Sequence, residues 1–364
     1  MSEWKEYKLG EIITLQRGYD LPRAKMKNGE IPVAGSNGII GYHDQYTTEG
    51  PGITIGRSGN IGVPKFYKGN FWAHNTVLYV KDFHGNDEKF VYYLLQTIDF
   101  TQFNTGSAVP SLNRNHVYEL NISIPLLSEQ KRIASILGSL DDKIDLLHRE
   151  NETLEAMAET LFRKWFIEDA KDELSETILG DVVETTSGGT PSRKNEKYYQ
   201  NGTIDWVKSK ELNGTFLLET EEKITEDAVA NSSAKFIPAN SVLIAMYGAT
   251  VGENAIIAKE MTCNQAICAL IPNENYPYTY LFLWAKLMKE EFINLACGAA
   301  QQNISQVLIK QQQVCSDIDA VKQFHSTTEP LFNKIKQNEI QLSSLKDIKN
   351  MILPKLMNNE SINE

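Results

Sequence analysis

The sequence predicts an α+β protein made of two pseudo-repeated globules that are separated by two long antiparallel coiled-coil helices. Three observations lead to this fold class. Five sequence blocks occur twice in the same order, each copy passes from short strand-like runs to a long helix, and both helices carry a heptad seam. The 364 residues also exceed the length of one ordinary domain, so two core-forming domains are expected.

Five pairs of sequence blocks indicate an internal duplication. They are KLGEIITLQRG (8–18) and ILGDVVETTSGG (178–189), ITIGRSGNIG (53–62) and VLIAMYGATVG (242–252), HNTVLYV (74–80) and NQAICAL (264–270), GSAVPSLNRNHVYELNISIP (106–125) and GAAQQNISQVLIKQQQVCSD (298–317), and LFRKWF (161–166) and ILPKLM (352–357). One weak match of this kind means little, but five matches in the same order are strong support for two copies of one ancestral unit.

Each copy begins with short β-rich runs between Gly, Asn, Asp and Pro, which is typical of an irregular α+β globule. Each copy ends in a long segment with helical periodicity. The predicted boundaries are a first globule at 1–127, a central long helix at 128–168, a linker at 169–177, a second globule at 178–318, a C-terminal long helix at 319–358 and a tail at 359–364.

The central helix carries the sharpest periodic signal in the chain. Its apolar positions follow alternating steps of four and three, which is a heptad seam. The seam consists of Ile133, Leu137, Leu140, Ile144, Leu147, Asn151, Leu154, Ala158, Leu161 and Trp165. Asn151 falls at an a position, where a polar residue fixes register and partner at some cost in stability.

The C-terminal helix repeats the pattern with Leu331, Ile335, Asn338, Leu342, Leu345, Lys349, Ile352 and Leu356. Its two polar members and the nearby Pro330 make this seam the weaker one in isolation. Two matched helices in one chain most simply pair antiparallel. The alternative is that each helix packs only on its own globule.

Composition narrows the classes of function. The chain is 41% hydrophobic and 23% charged, and it contains neither a long apolar run nor an N-terminal secretory signal. Four cysteines (Cys263, Cys268, Cys297 and Cys315) form no CxxC pair, so reduced thiols in a cytoplasm are expected. The net charge of −11 argues against a general nucleic-acid binder, although residues 1–127 balance 12 acidic with 12 basic side chains. A DNA-binding chain of this charge has to use local basic loops or borrow charge from a partner.

The chain lacks the usual catalytic motifs. It has no GxxxxGK[ST] loop, no HExxH pair and no GxSxG turn, and its six histidines show no metal-ligand spacing. We therefore expect no active site, no metal and no cofactor. The acidic pairs Asp141–Asp142 and Glu221–Glu222 are interpreted as solvated faces, and His74 as a hydrogen-bonded structural histidine.

Several segments resemble the specificity subunit of type I restriction-modification systems. They are KLGEI near the N-terminus, IPLLSEQKRIASILGSLDDKI (124–144), LFRKWF, SGGTPSR (187–193) and GAAQQNIS (298–305). The resemblance implies a non-catalytic subunit in which each globule is a target-recognition domain for one half of a split DNA site. It also implies that the two helices, through their seams, form a spacer that sets the half-site distance and docks two methyltransferase subunits.

The same resemblance implies double-stranded DNA, two methyltransferase subunits and restriction subunits as partners, with S-adenosylmethionine, ATP and magnesium bound by those partners. One departure is that the second copy has AVKQFH (320–325) where the first has SEQKRI (128–133). Equivalent docking of both methyltransferase subunits is therefore not implied.

Base reading in the major groove requires hydrogen-bonding side chains on loops that reach base edges. The glycine-rich turns and their neighbours supply the candidates. They are Arg57, Ser58, Asn60, Lys65 and Arg114 in the first copy, and Arg193, Lys194, Lys208, Lys210, Tyr247, Gln301, Gln302 and Asn303 in the second.

Two other classes of function stay open at this stage. One is a coiled-coil scaffold whose globules bind proteins, and the other is a hydrolase with an unrecognised site. DNA retardation with a methyltransferase partner present separates the first from a DNA-reading subunit, and a turnover screen tests the second.

Overall fold

The computed structural model describes residues 4–103, 111–168, 176–297 and 303–358. The chain divides into two compact units. The first unit contains the chain up to Ile144 together with the chain from Ser344 onward, and the second unit contains Asp145–Ser343.

The helices of the described residues are α1 (Leu9–Ile12), α2 (Glu88–Gln96), α3 (Arg114–Tyr118), α4 (Leu127–Arg163), α5 (Leu179–Val182), α6 (Glu226–Ala230), α7 (Tyr278–Leu287), α8 (Lys289–Cys297), α9 (Gln306–Lys310) and α10 (Ile318–Met357). A short π-helix, Lys164–Glu168, continues α4. The two long helices begin at Leu127 and Ile318, each one residue before the predicted start. Each contributes one segment to each unit.

The strands of the first unit are β1 (Lys5–Lys8), β2 (Thr14–Arg17), β3 (Ile31–Gly35), β4 (Gly38–His43), β5 (Gly52–Gly56), β6 (Pro64–Tyr67), β7 (Trp72–Ala73), β8 (Val77–Asp82) and β9 (Asn121–Ile124). Those of the second unit are β10 (Glu176–Ile178), β11 (Glu184–Ser187), β12 (Ile204–Val207), β13 (Phe216–Leu217), β14 (Lys223–Ile224), β15 (Val242–Ala245), β16 (Asn254–Ile257), β17 (Thr262–Cys263), β18 (Ile267–Ile271) and β19 (Gln313–Cys315).

The strand order confirms the duplication. The first unit has a sheet β2–β8–β5–β6, a sheet β4–β3–β7 and a pair β1–β9. The second has a sheet β11–β18–β15–β16–β13, a sheet β14–β12–β17 and a pair β10–β19, which is the same arrangement with β13 added at one edge. In both three-stranded sheets the last strand pairs in parallel with the central one, as β3 with β7 and β12 with β17. The predicted α+β class and its two copies are therefore correct.

In the first unit, the start of α4 packs antiparallel against the end of α10. Ile133 and Leu137 share one buried core with Ile352 and Leu356, together with the apolar face of α2. Further along α4, the ammonium of Lys349 on α10 donates a hydrogen bond of 2.7 Å to Asp141. The Tyr93 hydroxyl donates to the other oxygen of the same carboxylate at 2.7 Å. The polar seam position Lys349 is therefore satisfied by Asp141, which corrects the interpretation of Asp141 as a solvated residue.

In the second unit, the remaining segments of the two helices also run antiparallel. The predicted polar seam residues meet, because the Asn338 amide donates to the Asn151 side-chain oxygen at 2.8 Å. Asn151 in turn donates to Glu339 at 2.8 Å, and both asparagines are buried. At the far end, Trp165 of the π-helix lies edge-on to Phe324 of α10, with ring centroids 5.8 Å apart.

The prediction that the seam residues face inward is correct. Every seam residue of α4, the π-helix and α10 is buried or half-buried. The two helices contact each other through Asn151–Asn338 and Asp141–Lys349 as well as packing on the globular part of each unit. The alternative in which each helix packs only on its own globule is therefore wrong. Sequence periodicity missed the buried aromatics Phe162, Phe324 and Phe332, which pack against α7 in the second unit.

Three cysteines of the second unit are internal. Cys263, Cys268 and Cys315 are buried free thiols. Burial raises the pKa of Cys263 and of Cys268 to about 12, so both stay protonated near neutral pH. In the described parts of the chain, no helix has both the length and the apolar character needed to cross a membrane.

The Asn151–Asn338 contact predicts an asymmetric response to substitution. Asn338→Leu leaves the buried Asn151 oxygen without this donor, so the free energy of unfolding should fall by about 1–3 kcal/mol. Replacing both residues with leucine removes both partners and should restore most of that loss. Urea unfolding of the two variants tests this, with Gln337→Leu on the exposed face of α10 as the control. Equal stability of wild type and Asn338→Leu would contradict it.

Candidate nucleic-acid interface

In the first unit, two separate segments meet at the end of β5. Ser58 forms an isolated β-bridge with Ser111, and the Leu112 amide donates to the Arg57 carbonyl at 2.9 Å. The Arg57 and Ser58 amides both donate to the Thr76 carbonyl, at 2.9 and 3.2 Å. The turn continues through Gly59, whose φ of 84° lies in the left-handed region that favours glycine. These bonds fix the backbone from which the candidate side chains project.

Three arginines line a cleft of about 430 Å³ beside this junction: Arg17, Arg57 and Arg114. Arg57 donates through Nε to the Asn75 carbonyl at 3.3 Å, and Arg114 donates through Nη1 to the Leu15 carbonyl at 3.1 Å. Burial and then the neighbouring charge of Arg17 lower the pKa of Arg57. The structure thus brings two predicted residues together and adds Arg17, which the sequence did not single out.

The other three candidates of the first unit, Ser58, Asn60 and Lys65, do not line this cleft. Asn60 is an exposed residue of the same turn, and Lys65 is exposed on β6, opposite Thr54 of β5. His74 hydrogen-bonds to the Thr76 hydroxyl at 3.1 Å, which agrees with its structural interpretation.

The second unit repeats the junction with different side chains. Tyr247 forms an isolated bridge with Asn303, and the Ile304 amide donates to the Met246 carbonyl at 2.9 Å. In the aligned blocks, Tyr247 takes the place of Ser58 and Asn303 that of Ser111. Gln301 and Gln302, which were predicted to read bases, lie outside the described residues.

The basic candidates of the second unit form a different arrangement. The Arg193 guanidinium lies 4.2 Å from the ring centroid of Tyr199 and 5.1 Å from that of Trp206. It donates to both carboxylate oxygens of Glu222, with the Nη2–Oε2 bond at 2.8 Å. Lys208 also donates to Glu222, at 3.2 Å. Arg193 is therefore held between aromatic rings and a bidentate carboxylate.

Two further lysines complete this group. Lys210 donates to Glu221 at 2.6 Å, and Lys194 is exposed. Glu221 and Glu222 are thus ion-pair partners of three predicted DNA-binding residues. Glu221 is exposed as interpreted, whereas the half-buried Glu222 corrects the interpretation of the pair as a solvated face. A linear sequence carries no signal for this contact, because Arg193 and Glu222 are brought together only by the fold.

The ion pairs of Glu222 set its protonation. Hydrogen bonds from Arg193, and secondarily from Lys208, lower the pKa of Glu222 from 4.5 to about 2. Because the folded-state pKa is the lower one, this contribution to stability is fully present above pH 4.5. It is lost as the pH falls toward 2. Near neutral pH the carboxylate is ionised and the cations stay paired.

The described residues contain no group of three or more His, Cys, Asp or Glu side chains that could hold a metal ion. The candidate residues are instead hydrogen-bond donors and arginines on loops of the two related units. In the second unit, Arg193 lies against the rings of Tyr199 and Trp206. A family model described as "Type I restriction modification DNA specificity domain" matches residues 1–156 and again residues 172–315. This chain belongs to the type I restriction-modification DNA specificity family.

Individual members of the family are similar over most of the chain. The type I restriction enzyme MjaIX specificity subunit of Methanocaldococcus jannaschii is 28% identical, over 74% of this chain and 68% of that protein. The HindI specificity subunit of Haemophilus influenzae is 23% identical, over 99% of this chain and 100% of that protein. The crystal structure of the type I system S subunit from M. genitalium aligns with a TM-score of 0.66 at 18% identity. That alignment covers 98% of this chain and 96% of the crystallised chain, which supports the fold.

One match of the DNA specificity domain falls in each of the two copies that the sequence blocks define. The first match contains the arginine cleft, and the second contains Arg193, Tyr247 and Asn303. As a member of this family, the chain carries a DNA-sequence specificity function in both copies.

The Glu222 ion pairs predict how this DNA specificity protein responds to loss of one carboxylate. Glu222→Gln removes a negative charge and releases Arg193 and Lys208. We therefore expect tighter binding to DNA at low salt and a salt dependence steeper by about one unit of log K against log salt. Fluorescence anisotropy over a salt series measures both quantities.

Glu219→Gln is the matched control, because Glu219 is exposed and its substitution changes the net charge equally. If the two variants gave the same slope, the released cations would have no role in DNA binding.

Proposed function

We propose that this chain is a non-catalytic subunit that reads a bipartite DNA target, with residues 1–127 and 178–318 each recognising one half. The observation that carries the proposal is the repeated junction, in which Ser58 and Ser111 of one copy correspond to Tyr247 and Asn303 of the other. The backbone arrangement is shared while the exposed chemistry differs. Because base identity is read by the hydrogen-bonding pattern that side chains present, equivalent loops with different residues would read different half-sites.

Charge supports a role for partner subunits. At a net charge of −11, the chain has few cations to spare for phosphate contacts, and three of the four basic candidates of the second unit are paired with carboxylates. In this proposal two methyltransferase subunits, and restriction subunits where present, supply the remaining positive surface. Those partners would also bind S-adenosylmethionine, ATP and magnesium.

The burial of the seams changes how docking is proposed. Ile133, Leu137, Leu147, Ile335 and Leu342 are almost fully buried, so a docking subunit cannot contact them directly. In this proposal the seam residues hold the two helices together, so that the pair serves as a rigid spacer. In this proposal the docking contacts are made instead by large apolar residues that are exposed on each helix. These are Leu146, Met157, Ile340, Ile348 and Met351.

The first copy also explains what the SEQKRI segment does within the chain. The buried Gln130 accepts a hydrogen bond from the Asp87 amide at 3.0 Å, and it donates to Asn86 and to the Pro125 carbonyl. Counted from the first residue of each long helix, which shifts the sequence alignment by one position, the equivalent residue of the second copy is the fully buried Val321, which packs in the apolar core instead. Loss of the motif there therefore removes a polar anchor without removing the helix start.

Purification with and without a methyltransferase subunit tests this proposal. The chain alone should bind duplex DNA weakly at physiological salt, because it makes too few phosphate contacts. The assembled complex should bind its target in preference to unrelated duplexes. Retardation assays on both preparations provide the comparison.

Nanomolar, sequence-selective binding by the chain alone would contradict the need for partner charge. Equal affinity of the complex for target and unrelated duplexes would contradict the reading function and favour a protein-binding scaffold.

A further inference from the structure

The arginine cleft of the first unit is built from three separate segments of the chain. Arg17 ends β2, Arg57 follows β5 and Arg114 begins α3. The floor of the cleft includes Leu78 and Leu112, which are both buried. Because Arg57 and Arg114 are each tied to a backbone carbonyl through one nitrogen, their remaining N–H groups are available to a ligand.

Among the residues that the structure describes, no carboxylate balances the positive charge in this cleft. Within the described residues, no carboxylate lies within ion-pair distance of Arg17, Arg57 or Arg114. The lowered pKa of Arg57 reflects burial and the repulsion from Arg17. The second unit differs, because its Arg193, Lys208 and Lys210 all pair with Glu221 or Glu222.

The equivalent positions of the second copy carry no arginine. In the aligned blocks Arg17 corresponds to Ser187, Arg57 to Met246 and Arg114 to Gln306. The supporting contact is kept, since Gln306 donates to the Thr185 hydroxyl at 2.7 Å where Arg114 donates to Leu15. The fold of this region therefore forms without the three cations, and the arginines are an addition specific to the first copy.

We propose that the Arg17–Arg57–Arg114 cleft binds one backbone phosphate of the DNA, a contact that the equivalent positions of the second copy do not make. This inference rests on the proposed DNA-reading function and assigns a ligand within it. A phosphate carries a full negative charge and can accept hydrogen bonds from more than one guanidinium. A guanine edge is neutral overall, so it would leave the repulsion between Arg17 and Arg57 in place. The cleft is thus a positioning contact that fixes the first unit on the duplex, and it carries no sequence information itself.

The experiment uses the full chain assembled with its methyltransferase partner, and it compares Arg17→Ser with Arg23→Ser. Serine is the residue at the equivalent position of the second copy, and Arg23 is an exposed arginine outside the cleft. The DNA probes are a random-sequence duplex pool and one duplex selected from that pool by the wild-type complex. Affinity for both probes is measured over a salt series.

Arg17→Ser should lower affinity for both probes by the same factor and flatten the plot of log K against log salt by about 0.9. Arg23→Ser should leave the slope within error of the wild-type slope. Arg17→Lys keeps the positive charge and should therefore retain most of the wild-type slope. A thermal melt of each variant checks the fold. An unchanged slope for Arg17→Ser would overturn the proposal, and so would an altered base preference, which would indicate a base contact.

Duplexes with single methylphosphonate linkages, which neutralise one phosphate at a time, locate the contact. Neutralising one particular phosphate should weaken DNA binding by the wild-type complex. The same substitution should cause no additional loss of affinity in the Arg17→Ser complex, which already lacks that contact. If every linkage affected both complexes equally, the cleft would not hold a defined phosphate. If the proposed DNA-reading function itself were wrong, the result would differ from a failure of the phosphate contact alone. The wild-type complex would then enrich no duplex from the random-sequence pool.

Discussion

Pairing between the two long helices is the interaction on which each unit depends. In the first unit the Lys349–Asp141 hydrogen bond joins the two helices, and in the second unit the Asn338–Asn151 hydrogen bond does so. A buried polar side chain is costly when its partner is missing, so these contacts penalise any shifted register of the helices. In each unit the larger sheet shares one hydrophobic core with segments of both long helices. The loops that carry the candidate DNA contacts project from these supported sheets.

The features that could be predicted from the sequence are those that produce a repeat or a periodic spacing of residues along the chain. Five repeated blocks predicted two copies, and the structure has matching strand orders in both units. The alternating steps of four and three predicted the buried face of α4 and α10, including the positions of Asn151 and Asn338. Such patterns are readable because helix periodicity converts spacing along the chain directly into position on one face.

The remaining features depend on contacts between residues that are distant in sequence. Glu222 was interpreted as solvated because nothing near it in the sequence indicates Arg193. Arg17 was missed because the residues that make it part of a cleft, Arg57 and Arg114, come from other segments. Phe324 lies outside the heptad seam yet packs against Phe162 and Trp165. Electrostatic sites and aromatic clusters of this kind emerge only once the fold brings their members together.

The two copies also show how one backbone arrangement can support two electrostatic solutions. The first unit concentrates cations without carboxylate partners among the described residues, whereas the second holds Arg193 between aromatic rings and Glu222. A total charge of −11 is therefore compatible with DNA binding, because the relevant charge is local. Divergence of the exposed residues on a shared framework is what allows two copies to read different sequences.

The most direct measurement is base-resolution mapping of modified bases in cells that express the chain with its methyltransferase partner. Two versions are compared, the natural chain and one in which residues 1–127 come from another member of the family. The account predicts a bipartite motif in which the exchange replaces one half and leaves the other half unchanged. A change in both halves, or a single undivided motif, would contradict the assignment of one half-site to each copy.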